Sequence, residues 1–332
     1  MFYPLAALIG VAAAVLGYLA LQPGEIRVRR SLLIKRDRAD IFSKVRDLRN
    51  WREWSPWLLH EPDARLDYSD APDQQGGWYA WDGQLIGAGR ITHLRLDEPE
   101  RIEQRIAFTR PFKSSSAVSW EFVEYPSGTE VVWTMRGRMP FMLRFLAPVI
   151  AASIEKDYEI GLVLLRARLD PTADLLQIRF LGETEYPAQS ALTIPFKGGL
   201  EAMVAAMQQG LPRLATSAAQ RGIVADGPLF AAYHKADPKR DHFECDIALP
   251  VPDGTEPGEF AIRRLGGGRY YLAEVQGSYD FLAPAWYSIM GHLRMAKLTW
   301  DRKRPSLEVY AVYPGTAAGS NDILTRIYVP IR

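Results

Sequence analysis

The residues best suited to chemistry lie close to the C-terminus, in Arg304-Pro-Ser-Leu-Glu-Val-Tyr310. Strand alternation puts Glu308 and Tyr310 on one face and Leu307 and Val309 on the other. An earlier stretch, Gly227-Pro-Leu-Phe-Ala-Ala-Tyr233, has a similar pattern. Aligning Pro228 with Pro305 pairs Ala231 with Glu308 and Tyr233 with Tyr310. The tyrosine is thus kept twice, while the acid is placed once. A carboxylate flanked by aromatic rings suits an apolar cation. The acid supplies charge, and ring faces add a cation–π attraction of about 0.5–2 kcal/mol. Burial would raise the pKa of Glu308 and fit it for general-base work. The plain alternative is a solvated glutamate on a strand face.

Tyr279, Trp286 and Tyr287 fall on a helix-like segment or its entry, with Tyr279, Trp286 and Met290 near one face. Core packing is the ordinary role of such a stripe. His234, His242 and Cys245 do not make a metal site, because a structural zinc needs four ligands and no fourth is evident. No cofactor motif is read. Gly266-Gly-Gly268 matches no phosphate loop, and no serine or cysteine sits in a nucleophile elbow.

These residues need elements to hold them. The chain has 332 residues, 48% of them hydrophobic, enough for two domains with real cores. Its net charge of +1, from 40 basic and 39 acidic residues, gives no support for a nucleic-acid partner. Its single cysteine forbids an internal disulfide. Residues 1–24 contain an uncharged run from Phe2 to Leu21, long enough to cross a hydrocarbon core of about 30 Å. It lacks a basic n-region and a small-residue cleavage site, so the reading is an uncleaved single-pass anchor rather than a signal peptide. Arg27, Arg29, Arg30, Lys35 and Arg36 follow it, and the positive-inside rule then places the body in the cytoplasm.

Residues 25–170 open with a strand in which Ile26, Val28, Leu32 and Ile34 alternate with polar residues, although Arg30 and Leu33 break the pattern. Two short helices follow, with Trp51, Trp54 and Trp57 three apart. Strand-like runs come next at Gly77–Gly83, Gly89–Leu96, Arg101–Phe108, Ala117–Tyr125 and Thr129–Gly137. A long amphipathic segment carrying Ile150, Ile154, Leu162, Leu165 and Leu169 closes the domain. The opening strand, NWREWSPW and WYAWDGQLIGAGRITH resemble the START-like helix-grip superfamily (SRPBCC, polyketide cyclase/dehydrase and lipid transport). The resemblance implies a curved sheet wrapped round the long helix, with a hydrophobic cavity between them. Trp54, Trp57, Trp81, Trp120 and Trp133 are candidates to line it, or else to fill the core.

Residues 175–332 hold two copies of a strand-helix-strand-strand unit, which should pair about a pseudo-twofold axis. The segments GPLFAAYHKAD, CDIALPV, EVQGSYDFLAPAWYSIMGHL, PSLEVY and TRIYVPIR resemble the GyrI-like effector-binding domain of AraC-type and MerR-type multidrug regulators. That resemblance implies a cleft between the halves for hydrophobic, often cationic, compounds, with an acid in the second half. Glu308, Tyr310, Tyr233, Tyr279 and Trp286 are its candidate lining. Some relatives are hydrolases. The expected whole is an α+β, membrane-anchored binder of lipids or hydrophobic small molecules. The alternatives are a hydrolase using Glu308, a cyclase-like activity in the first cavity, or a scaffold for protein partners.

Overall fold

A computed structural model describes residues 17–21 and 23–332. The expected anchor over residues 2–21 lies mostly outside the described residues. Among these, no helix is long and apolar enough to cross a membrane. The chain divides into two units, Met1–Ala173 and Asp174–Arg332.

The first unit is one seven-stranded antiparallel sheet gripping a long helix. Its strands are β1 (Glu25–Ile34), β2 (Arg65–Tyr68), β3 (Trp78–Asp82), β4 (Ala88–Asp97), β5 (Arg101–Arg110), β6 (Ser114–Tyr125) and β7 (Gly128–Arg138). They lie in the order β1-β7-β6-β5-β4-β3-β2. Helix α1 (Arg38–Arg46), a 3-10 turn (Leu48–Glu53) and helix α2 (Pro56–His60) connect β1 to β2. Helix α3 (Ala147–Leu169) closes the unit. Arg30, the residue that breaks the alternation of β1, shares the inward parity of Ile26 and Val28. It reaches α3 and bonds Glu155 at 2.7 Å and Glu159 at 2.8 Å. The break in pattern is therefore the ion-paired seam between strand and helix.

The space expected to be a ligand cavity is filled by rings. Trp133 stacks on Trp120 at 4.2 Å and on Tyr158 of α3 at 3.7 Å. Trp51, Trp54 and Trp57 pack edge-on against Trp133 at about 6 Å. Gly161 lets α3 come this close, since a Cβ there would meet the Trp133 ring at 2.8 Å. What remains is a void of about 40 Å³ lined by Trp51, Trp57, Tyr79, Trp81, Phe108 and neighbouring aliphatics. Ligand sites run to roughly 300–1,000 Å³, so this void has room for a few waters at most.

The second unit is an eight-stranded antiparallel sheet. Its elements are β8 (Gln177–Tyr186), β9 (Gln189–Gly198), α4 (Leu200–Gln220), β10 (Phe230–Asp237), β11 (His242–Pro250), β12 (Ala261–Leu265), β13 (Gly268–Gln276), α5 (Leu282–Met295), β14 (Ser306–Val312) and β15 (Leu324–Pro330). The order β12-β9-β11-β10-β14-β15-β13-β8 is symmetric about its centre. Each repeat is longer than the strand-helix-strand-strand unit read from sequence. It begins one strand earlier, and that strand is exchanged: β8 pairs with β13, and β12 with β9. β12 is short and exposed over four of its five residues, so it carried no alternating signal.

Candidate functional site

The central pair β10–β14 sets the geometry. Ala231 lies opposite Glu308, with Phe230 opposite Val309 and Ala232 opposite Leu307. In the repeat alignment Ala231 and Glu308 are equivalents, so the pseudo-twofold axis pierces the sheet at this pair. Two glutamates there would face each other across adjacent strands, a destabilising like-charge contact. The axis thus admits one acid, which accounts for the broken symmetry.

Both faces of β14 are covered. Leu307 and Val309 join Phe230, Ala232 and Tyr270 in a core on one side. Glu308 and Tyr310 point to the other, the side of α4 and α5, and each is 4% exposed. Glu308 is therefore not a solvated strand-face residue. Its Oε2 accepts from the Tyr233 hydroxyl at 2.9 Å and from the Tyr310 hydroxyl at 3.1 Å. Its Oε1 accepts from the Trp286 indole N–H of α5. No lysine, arginine or histidine forms an ion pair with it among the described residues. Burial pushes its pKa above the ordinary carboxylate range, and the Trp286, Tyr233 and Tyr310 donors pull the other way. Burial, together with the Glu308 charge, also drives the Tyr233 and Tyr310 hydroxyls far above their usual values.

Tyr279 stands with its ring 5.6 Å from that of Tyr310, and its hydroxyl is buried without a hydrogen-bond partner. Trp286 meets Tyr233 edge-on at 6.4 Å. Five of the residues read from sequence, Glu308, Tyr310, Tyr233, Tyr279 and Trp286, therefore share one cluster. Met207 was not anticipated; its sulfur lies 3.9 Å from the Tyr310 hydroxyl. Its only signal was the apolar stripe of α4. Cys245 also lies near the acid, and burial pushes its thiol up to about 12. His234 and His242 go elsewhere, to Asp246 and Glu244 at 2.7 Å each.

The five tryptophans read as candidate lining of the first domain divide. Trp54, Trp120 and Trp133 are core, none more than 1% exposed, while Trp57 and Trp81 border the small void. Their types suit both roles. The stacking that decides between them comes from Tyr158 and Gly161, which lie far away in sequence.

Fold and cluster together define a two-domain α+β protein, a helix-grip domain followed by a duplicated sheet with an acid on its axis. Residues 25–170 match the family described as polyketide cyclase/dehydrase and lipid transport. Residues 183–332 match the GyrI-like small molecule binding domain. The chain carries one domain of each family, in that order. No curated protein matches it. Among solved structures, protein MLL2253 from Mesorhizobium loti is similar at 12% identity, over 42% of this chain and 93% of its own, with a TM-score of 0.34. The C-terminal domain of EcmrR is similar at 17% identity, over 48% and 98%, with a TM-score of 0.40. SAV2435 bound to tetraphenylphosphonium is similar at 11% identity, over 48% and 94%, with a TM-score of 0.34.

Proposed function

We propose that the second domain binds a hydrophobic cation, with Glu308 as its counter-ion, and that Phe2–Leu21 holds the chain at a membrane with its body on the cytoplasmic side. The observation that carries the binding reading is a buried carboxylate served by three neutral donors and no cation. Such a group costs several kcal/mol relative to water unless a positive charge approaches. An apolar cation supplies that charge without bringing a tightly held hydration shell. The rings of Tyr233, Trp286, Tyr279 and Tyr310 give it aromatic contact, worth about 0.5–2 kcal/mol. The unpaired Tyr279 hydroxyl offers a further polar contact.

Binding of a lipophilic cationic dye, measured by titration calorimetry beside an uncharged dye of similar size, tests this. Glu308→Gln keeps the shape and removes the charge. Affinity for the cation is expected to fall about 30-fold or more, the equivalent of ~2 kcal/mol, with the neutral dye unaffected. Equal affinity of both proteins for the cation would overturn the reading.

A further inference from the structure

The stretch Met139–Ile154 (MPFMLRFLAPVIAASI) contains one charged residue, Arg144. Such a composition belongs in a core, yet Phe141, Met142, Phe145 and Val149 are 39%, 60%, 46% and 68% exposed. They lie on a 3-10 turn (Phe141–Leu146) and the first turn of α3. Large apolar side chains grouped on a surface mark an interaction face.

Two further observations say what covers it. The first is charge. β7 ends at Arg136 and Arg138, beside the start of β6 that follows Lys113, so one end of the sheet gathers these cations. Three acids lie at this end: Glu25 bonds Arg27 and also feels the charges of Arg138 and Arg136, Asp82 bonds Arg110, and Glu61 accepts from the backbone amides of Gln84, Leu85 and Ile86. Lys113, Arg136 and Arg138 are left without an ion pair among the described residues, and the buried Nε of Arg144 has no hydrogen-bond partner. The second is position. The Met139 amide donates to the Gly24 carbonyl at 2.7 Å, and the Arg144 side chain packs against Gly24. Gly24 is where the uncharged run Phe2–Leu21 gives way to β1. The apolar patch therefore stands at the foot of that run, flanked by cations.

We infer that this end of the first domain rests on a lipid bilayer with anionic headgroups. Phe141, Met142, Phe145 and Val149 enter the interface, to the depth of about 5–10 Å typical of such apolar faces. Lys113, Arg136, Arg138 and Arg144 meet the headgroups, each strengthening attachment about fivefold. The inference takes from the anchor reading only the nearness of the membrane to Gly24.

The test uses the full chain in vesicles. Met142→Cys is labelled with an environment-sensitive fluorophore; Cys245 is buried, with its thiol pushed up to about 12, and stays unlabelled. Tyr125→Cys is the reference, at the opposite end of the sheet where Tyr125 pairs with Gly128. In vesicles containing phosphatidylglycerol, nitroxide lipids are expected to quench the label at 142 several-fold more than that at 125. Quenching should drop in purely zwitterionic vesicles and on adding Phe141→Ser with Phe145→Ser. Equal quenching at the two positions overturns the proposal. So does a label at 142 shielded from water but untouched by nitroxide lipids, since protein would then cover the patch. Vesicle flotation after a carbonate wash reads the anchor separately. Flotation with an unquenched label keeps the anchor and refutes the surface contact; quenching without flotation does the reverse.

Discussion

Glu308 is a buried carboxylate with three neutral donors and no ion pair among the described residues. Its folded pKa lies above the unfolded value near 4.5. Between those two values the folded chain holds a proton that the unfolded chain has lost. The contribution of Glu308 to stability is therefore fully present below about 4.5 and is lost as pH rises through the folded pKa. The slope within that window reaches about 1.4 kcal/mol per pH unit. Glu308→Gln is expected to remove that slope and to raise stability at pH 8. The amide fits because its oxygen can face the Trp286 N–H while its NH2 donates to the two tyrosine hydroxyls, which can turn to accept. Urea unfolding at several pH values checks this; identical pH profiles for both proteins would refute it. Alternation and the repeat alignment made Glu308, Tyr310 and Tyr233 legible as neighbours. Burial was not legible, because period two says which residues share a face but not whether that face meets solvent. The cover comes from α4 and α5, whose docking is a long-range event.

The elements of the first domain turn on how closely α3 approaches the sheet. Trp133 is held between Trp120 and Tyr158, with no free side to move into. Gly161→Ala adds a methyl that would meet this ring at 2.8 Å and Pro56 at 3.1 Å. Alanine favours a helix over glycine by about 1 kcal/mol, while overpacking costs about 1–3 kcal/mol. The clash should win, with a net loss of up to about 2 kcal/mol and a larger one for Gly161→Val. Thermal unfolding decides; a stabilised Gly161→Ala would mean that the ring stack yields easily. The order of strands in this domain was readable from alternation and turns, apart from the four-residue β2 (Arg65–Tyr68), too short to show a period. The filled interior was not readable. Tryptophans three apart announce a common face, but whether they line a space or occupy it depends on Tyr158 and Gly161.

At the scale of the whole chain, the two units differ in how their stability is shared. The second unit exchanges its first strands, so neither repeat is complete alone. β8 covers β13 of the other repeat, and β12 covers β9. Half of this unit would leave two strand edges bare, so it should melt as a single block. The first unit keeps its own sheet and holds seven of the nine tryptophans, leaving Trp286 and Trp300 to the second. Two separate cores without shared strands predict two transitions. Tryptophan emission should follow mainly the first unit, while far-ultraviolet circular dichroism follows both. Glu308→Gln at pH 8 provides a marker confined to one block. It should move only the dichroism transition that emission largely misses, and Gly161→Ala should move the one that emission reports. If either substitution shifts both transitions together, the two units unfold as one cooperative body and the separation of cores does not govern stability. If the marker in β14 splits the second unit's own transition in two, the exchanged strands do not bind its repeats into a block.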